Sequence, residues 1–175
     1  MQRTSIADCG EVFQLGYVAK DLERAMDFWT RRMGVGPFFL MENIAFEQVA
    51  YRGKRADIDI TVAIAYWRDM QIELIRQNND APSIYSGWEG GSGVHHMCMV
   101  VEDIEATRDI FVRAGAEILQ EGSLNAEFRF LYADTGGGPG TIIEAITLPE
   151  ANRAAFEHMR AAARNWDGKD PVRKL

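Results

Sequence analysis

Val12-Phe13-Gln14-Leu15-Gly16-Tyr17-Val18, leading into Asp21-Leu22-Glu23-Arg24-Ala25-Met26-Asp27, returns later as Val94-His95-His96-Met97-Cys98-Met99-Val100, leading into Asp103-Ile104-Glu105-Ala106-Thr107-Arg108-Asp109. Each matched pair lies 82 positions apart. A second echo closes each half, Gln71-Ile72-Glu73-Leu74-Ile75 against Ile142-Ile143-Glu144-Ala145-Ile146. In both copies an apolar, β-branched run reads as a buried strand. An aspartate then supplies a helix N-cap with glutamate in the first turn. The stripe Leu22, Ala25, Met26, Trp29 and Met33 has helical spacing and ends at Gly34; Ile104, Thr107, Phe111 and Ala114 repeat it and end at Gly115.

Shorter β-forming runs follow each helix, at 37–42, 46–52, 58–66 and 70–76 in the first half and at 117–121, 128–133 and 141–148 in the second. The fold class is therefore α+β: two tandem β-α-β-β-β modules, plus a C-terminal helix. The 175 residues make one domain, with a first module at 12–77, a linker at 78–93, a second module at 94–148, and a helix and tail at 149–175. The linker has turn chemistry, with four glycines, one proline and two asparagines. Its Tyr85 and Trp88 favour ordering over a pocket. After Pro149, the stripe Ala155, Met159, Ala162 and Trp166 predicts a helix docked on its own domain or on a second subunit, and a homodimer is expected. The closing 167–175 stretch reads as an extended surface arm.

Nineteen basic against 26 acidic residues give a net charge of −7 with no block of one sign, which makes nucleic acid an unsuitable partner. No apolar run reaches bilayer-spanning length and residues 1–10 lack a secretory pattern, so no membrane association and a cytoplasmic location are expected. Cys9 and Cys98 lack metal-type spacing and read as reduced, buried thiols. The glycine-rich 135–141 stretch lacks a Gly-Lys-Ser/Thr ending and precedes a strand rather than a helix, so it is a turn and no phosphate loop.

Four metal-capable side chains fall at corresponding places of the repeat: Gln14 and His96 in the opening strands, Glu73 and Glu144 in the closing ones. Burying an unpaired carboxylate costs several kcal/mol, and neither Glu73 nor Glu144 has a basic neighbour on its strand. One divalent ion held by Gln14, Glu73, His96 and Glu144 would neutralise both and leave coordination positions for water and substrate. The oxygen-rich donor set predicts Mn, Co, Ni, Zn or Mg. His95 alternates to the other strand face and is expected to pack toward the helix.

On the duplicated strand-Asp-helix start, the Gly93-Val94-His95-His96 opening of the second module and the two Ile-Glu closings, residues 12–148 resemble the vicinal oxygen chelate superfamily. That superfamily includes glyoxalase I, extradiol dioxygenases, methylmalonyl-CoA epimerase and bleomycin-resistance proteins. The paired histidines look most like the epimerase branch. The resemblance implies that the two modules form a curled mixed sheet with a metal cleft, and that the protein is a metal-dependent isomerase or lyase acting on a small carbonyl or acyl substrate, with a metal-stabilised enolate and Glu144 or Glu73 as base. The epimerases place a further carboxylate on the strand before Glu73, where this chain has Thr61, with Asp59 on the same face. An extradiol-type dioxygenase and a non-catalytic binding or resistance protein are the alternatives that the same superfamily offers.

Overall fold

The computed structural model describes residues 5–88 and 93–174. The first half contributes β1 (Val12–Val18), α1 (Leu22–Arg31), β2 (Phe38–Met41), β3 (Gln48–Tyr51), β4 (Lys54–Arg55), β5 (Ile60–Trp67) and β6 (Met70–Gln77). The second contributes β7 (His96–Val100), α2 (Ile104–Arg113), β8 (Glu117–Ser123), β9 (Arg129–Asp134) and β10 (Ile142–Ile146). The chain continues through α3 (Glu150–Arg164) and β11 (Val172–Lys174). Both expected caps form: Asp21 accepts from the Arg24 amide, and Asp103 from those of Glu105 and Ala106.

The strands build one mixed, curled and open sheet in the order β11-β2-β5-β6-β1-β7-β10-β9-β8-β3-β4. The halves meet at its middle, where β1 and β7 run antiparallel; each also pairs parallel with the closing strand of its own half, β6 or β10. Alternation of side chains across the strands then separates two environments. On one face, α1 covers Phe38, Ala63, Ile72 and Leu74, and α2 packs its Phe111 against Met99, Leu131 and Ala145. The opposite face carries a single apolar cluster that includes Val62, Ile64, Ile75, Cys98, Phe130 and Tyr132. The cleft lies on this second face.

Of three features, two depart from the expected pattern and one decides between two expectations. The 46–52 run is a strand, but it leaves its own half: β3 pairs with β8, at the far edge of the second half, and turns into β4. Its connector therefore crosses the cleft, carrying Ile44 and Phe46 over it. Second, α3 docks on the cleft face of the same chain through Ala155, Phe156, Met159 and Ala162. The stripe that suggested a homodimer is occupied within the chain and gives no ground for one. Third, the closing stretch is partly a strand. β11 extends the sheet beside β2, with Val172 opposite Phe38, and the Phe38 amide donates to the Pro171 carbonyl at 2.8 Å. Among the described residues, no helix is long and apolar enough to cross a membrane.

Trp166 anchors that tail. Its indole lies against Gly36, where an added Cβ would come within 2.9 Å of the ring, and its Nε1 donates to the Lys169 carbonyl. Complete burial of a tryptophan is worth about 3–5 kcal/mol against alanine. Trp166 is only half-buried, so Trp166→Ala is expected to cost about 2 kcal/mol in urea unfolding. Loss of hydrogen-exchange protection at the Phe38 amide should accompany it; an unchanged amide would show that β11 holds without its anchor.

Candidate metal centre

The register of the central strands brings the polar side chains together in two adjacent rows. In one row, Glu73 on β6 stands beside Gly16 on β1, which stands beside His96 on β7. In the next, Gln71, Gln14, Cys98 and Glu144 follow one another across β6, β1, β7 and β10, with Tyr132 of β9 beyond Glu144. The repeat is thus arranged about a local two-fold near Leu15 and Met97, which exchanges Gln14 with His96, Gly16 with Cys98 and Glu73 with Glu144.

Gly16 makes room for the histidine. A Cβ built there would overlap the His96 imidazole, so the ring lies directly over the glycine backbone and reaches toward Glu73. His96 Nε2 sits 3.3 Å from Glu73 Oε2 and 3.2 Å from Glu144 Oε2. Donor atoms of the three residues all fall within 4.8 Å of one another. His96 Nε2 and Glu73 Oε2 are buried and neither meets a hydrogen-bonding partner in good alignment, despite their short separation. Gln14 Oε1 is a third buried atom without a partner. Its own amide nitrogen donates to Gln71 Oε1 at 2.5 Å, and Gln71 donates in turn to the Tyr66 hydroxyl at 2.7 Å. This chain fixes which end of the Gln14 amide remains available. Orphaned donors of this kind, grouped around two carboxylates, fit a divalent cation.

The histidine is oriented from behind. His95 Nε2 lies 3.1 Å from the Ile84 carbonyl, which can only accept, so this nitrogen carries the proton and His95 Nδ1 is the acceptor. His96 Nδ1, 3.0 Å away, therefore donates to His95, and the His96 Nε2 lone pair faces the two carboxylates when that nitrogen is deprotonated. Burial, reinforced by the nearby His96, lowers the His95 pKa to about 4, which keeps it neutral in this role. His95 thus does not pack toward a helix. Its ring lies edge-on to Trp88 and tilted against Tyr85, under the linker.

The carboxylates differ. Burial, aided by the charge of Glu144, raises the Glu73 pKa above its ordinary value against the opposing His96 contact. Burial also acts on Glu144, but the His96 contact outweighs it, and the neighbouring Tyr132 hydroxyl and Cys98 thiol add to the downward shift. Tyr85 donates to the Tyr132 hydroxyl at 3.0 Å, bracing that side. Cys98 is a buried free thiol whose pKa burial and Glu144 push well up, so it is no nucleophile.

Thr61 and Asp59 lie elsewhere. On β5 the cleft face belongs to Ile60, Val62 and Ile64, whereas Thr61 alternates to the side of Ala63 and Ala65 and bonds Asn78. Asp59 accepts from the same asparagine. Among the described residues, Glu73 and Glu144 are the only carboxylates lining the cleft cavity. Gln71 was legible in principle, two residues before Glu73 and so on its face, whereas Tyr132 and the Ile84 carbonyl needed the register and the linker path.

A family model described as Glyoxalase/Bleomycin resistance protein/Dioxygenase superfamily matches residues 13–132. The chain belongs to this superfamily. Methylmalonyl-CoA epimerase from Mycobacterium tuberculosis shares its fold at a TM-score of 0.56 and 16% identity, over 88% of this chain and 97% of that one. A hypothetical protein from Bacillus halodurans C-125 does so at 0.54 and 14%, over 81% and 96%. A methylmalonyl-CoA epimerase in complex with methylmalonyl-CoA and NH4+ follows at 0.52 and 16%, over 79% and 94%. No curated protein matches in sequence. At these identities the glyoxalase-type fold is what is shared.

The site yields two expectations. Gly16→Ala should displace the His96 ring, cost about 1–3 kcal/mol as overpacking does, and weaken binding of a divalent ion measured by calorimetry; full retention of both would separate the glycine from the histidine's position. In the metal-free protein burial disfavours the charged imidazole, but contacts with Glu144 and Glu73 outweigh it and raise the His96 pKa to about 9. A raised pKa means that below about pH 9 a metal must displace the Nε2 proton. Apparent affinity should then climb by up to about tenfold per pH unit from neutrality and level off above that point, in a titration that tracks proton release. A pH-independent affinity between 7 and 9 would contradict this.

Proposed function

We propose that this protein is a divalent-metal-dependent isomerase or lyase that removes a proton from the carbon next to a carbonyl. The observation that carries the reading is the convergence of two carboxylates, at the floor of a cavity, on one buried imidazole, with His96 Nε2, Glu73 Oε2 and, on the strand between them, Gln14 Oε1 left without partners. Gln14, Glu73, His96 and Glu144 would hold the metal. When bound, the ion would supply Lewis-acid stabilisation for negative charge developing on the substrate oxygen.

The chain's own residues divide the remaining work. Glu144 has the lowered proton affinity, through its contact with His96, which suits it to a fixed anionic ligand. Glu73 lines the cavity, leaves Oε2 without a partner and has the raised proton affinity, which suits it to accept the α-proton and return it. His95 holds the tautomer of His96, and Gln71 holds the amide of Gln14. The dioxygenase alternative calls for a second histidine at the metal, and both nitrogens of His95 are already engaged.

The test is solvent deuterium exchange into the α position of 2-substituted acyl thioesters, 2-hydroxy carbonyl compounds and aryl ketones, with metal-loaded protein. Glu73→Gln should retain the metal, because the amide oxygen still ligates, and lose about 10² to 10⁴ in exchange rate. Exchange at the unmodified rate in Glu73→Gln, together with its loss in Glu144→Gln, would transfer the base role to Glu144. Absence of exchange from every substrate, with metal bound, would overturn the reaction.

A further inference from the structure

The cavity above the metal centre has walls of a different character from its floor. Its polar lining is confined to Gln14, Glu73 and Glu144 below, the mutually bonded Tyr85 and Tyr132 hydroxyls, and Asn152 of α3. The rest is apolar and comes from separate parts of the chain. β5 and β6 supply Val62, Ile64 and Ile75, the crossing connector supplies Phe46, the second half supplies Phe130, and α3 supplies Phe156. None of the described lining residues is lysine, arginine or histidine. The volume is about 120 Å³, the scale of an apolar cavity of about 150 Å³ that takes up benzene.

Charge and size together restrict the occupant. Two carboxylates and a divalent ion sum to zero, so a substrate bearing a further anionic group within the cavity would bring an uncompensated charge into an apolar site. A single aromatic ring fits the volume, and Phe46, Phe130 and Phe156 offer it edges and faces. Resting on the metal-site reading above, we propose that the substrate is a small, uncharged aryl ketone with a C–H next to the carbonyl, its carbonyl at the floor beneath which Gln14, Glu73, His96 and Glu144 would hold the metal and its ring against Phe156. Phe156 then acts as a specificity residue supplied by the C-terminal helix, outside the duplicated modules. Phe156 is half-buried and its ring stands 6.1 Å from that of Phe13, so the wall is continuous with the sheet rather than a detached flap.

Acetophenone and 4-acetylbenzoate test this, since they share one carbonyl and differ in a distal charge. Binding to the Co2+-loaded protein is read from the visible band of the metal and from saturation-transfer NMR of the ligand, neither of which needs turnover. Acetophenone is expected to bind at least tenfold more tightly than 4-acetylbenzoate. Phe156→Arg, with metal content and circular dichroism unchanged, should narrow that ratio by at least tenfold through a gain for the anion. Equal binding of the two ligands, preference for the anion, or no binding of acetophenone overturns the proposal. The comparison in the unmodified protein decides it even if the arginine variant does not fold. Deuterium exchange into the methyl group is followed in parallel. Tight binding of acetophenone without exchange leaves the ligand class standing and removes the reaction; exchange into both ligands at equal rates does the reverse.

Discussion

An imidazole, two carboxylates and an amide oxygen occupy the centre of the sheet, where water reaches only their edges. In a low-dielectric setting that group is tolerable only if its charges are compensated, and much of the surrounding architecture can be understood from this. The imidazole needs a residue without a side chain beneath it, which Gly16 provides. Its far nitrogen needs an acceptor of fixed tautomer, provided by His95 through the Ile84 carbonyl. Glu144 needs polar neighbours, and the register sets it between Cys98 and Tyr132. Each support comes from a different strand or from the linker, so the centre depends on the register of the whole sheet.

The sequence carried the repeat plainly because duplicated local rules are strong signals: strand, aspartate cap, amphipathic helix, terminating glycine. The same repeat pointed to Gln14, Glu73, His96 and Glu144, and alternation along each strand correctly grouped Gln14 with Gly16 and His96 with Cys98. Non-local choices were illegible. Nothing in residues 46–52 says that the strand they form will pair with Ser123 and its neighbours in the other half, because pairing partners are set by tertiary packing and not by the run itself. The same holds for Val172–Lys174, whose polar composition hides a strand held by Trp166 and by backbone pairing with β2. His95 was misplaced because strand alternation was applied one residue before β7 begins.

The additions to the two modules are where this chain takes its individual character. The β3–β4 excursion, the linker and α3 each lay apolar side chains over a floor that the duplicated framework builds. A superfamily fold accommodates many chemistries because its floor and its cover can vary separately. Here the cover is aromatic and aliphatic with no cation among its described residues, and the floor is oxygen-rich.

The closeness of His96 to Gly16 also constrains how this protein can change over generations. The two positions are epistatic: any side chain at residue 16 is excluded while an imidazole lies over it, yet the φ of Gly16 is not of the left-handed kind that only glycine adopts readily. The barrier at residue 16 therefore comes first of all from residue 96, whose ring supplies the three nearest atoms. A lineage that gave up the histidine first would find residue 16 open to ordinary side chains, and once one had settled there, the way back to an imidazole at residue 96 would be closed. The duplicated partner position, Cys98, shows what such a site looks like when nothing lies above it that demands a glycine.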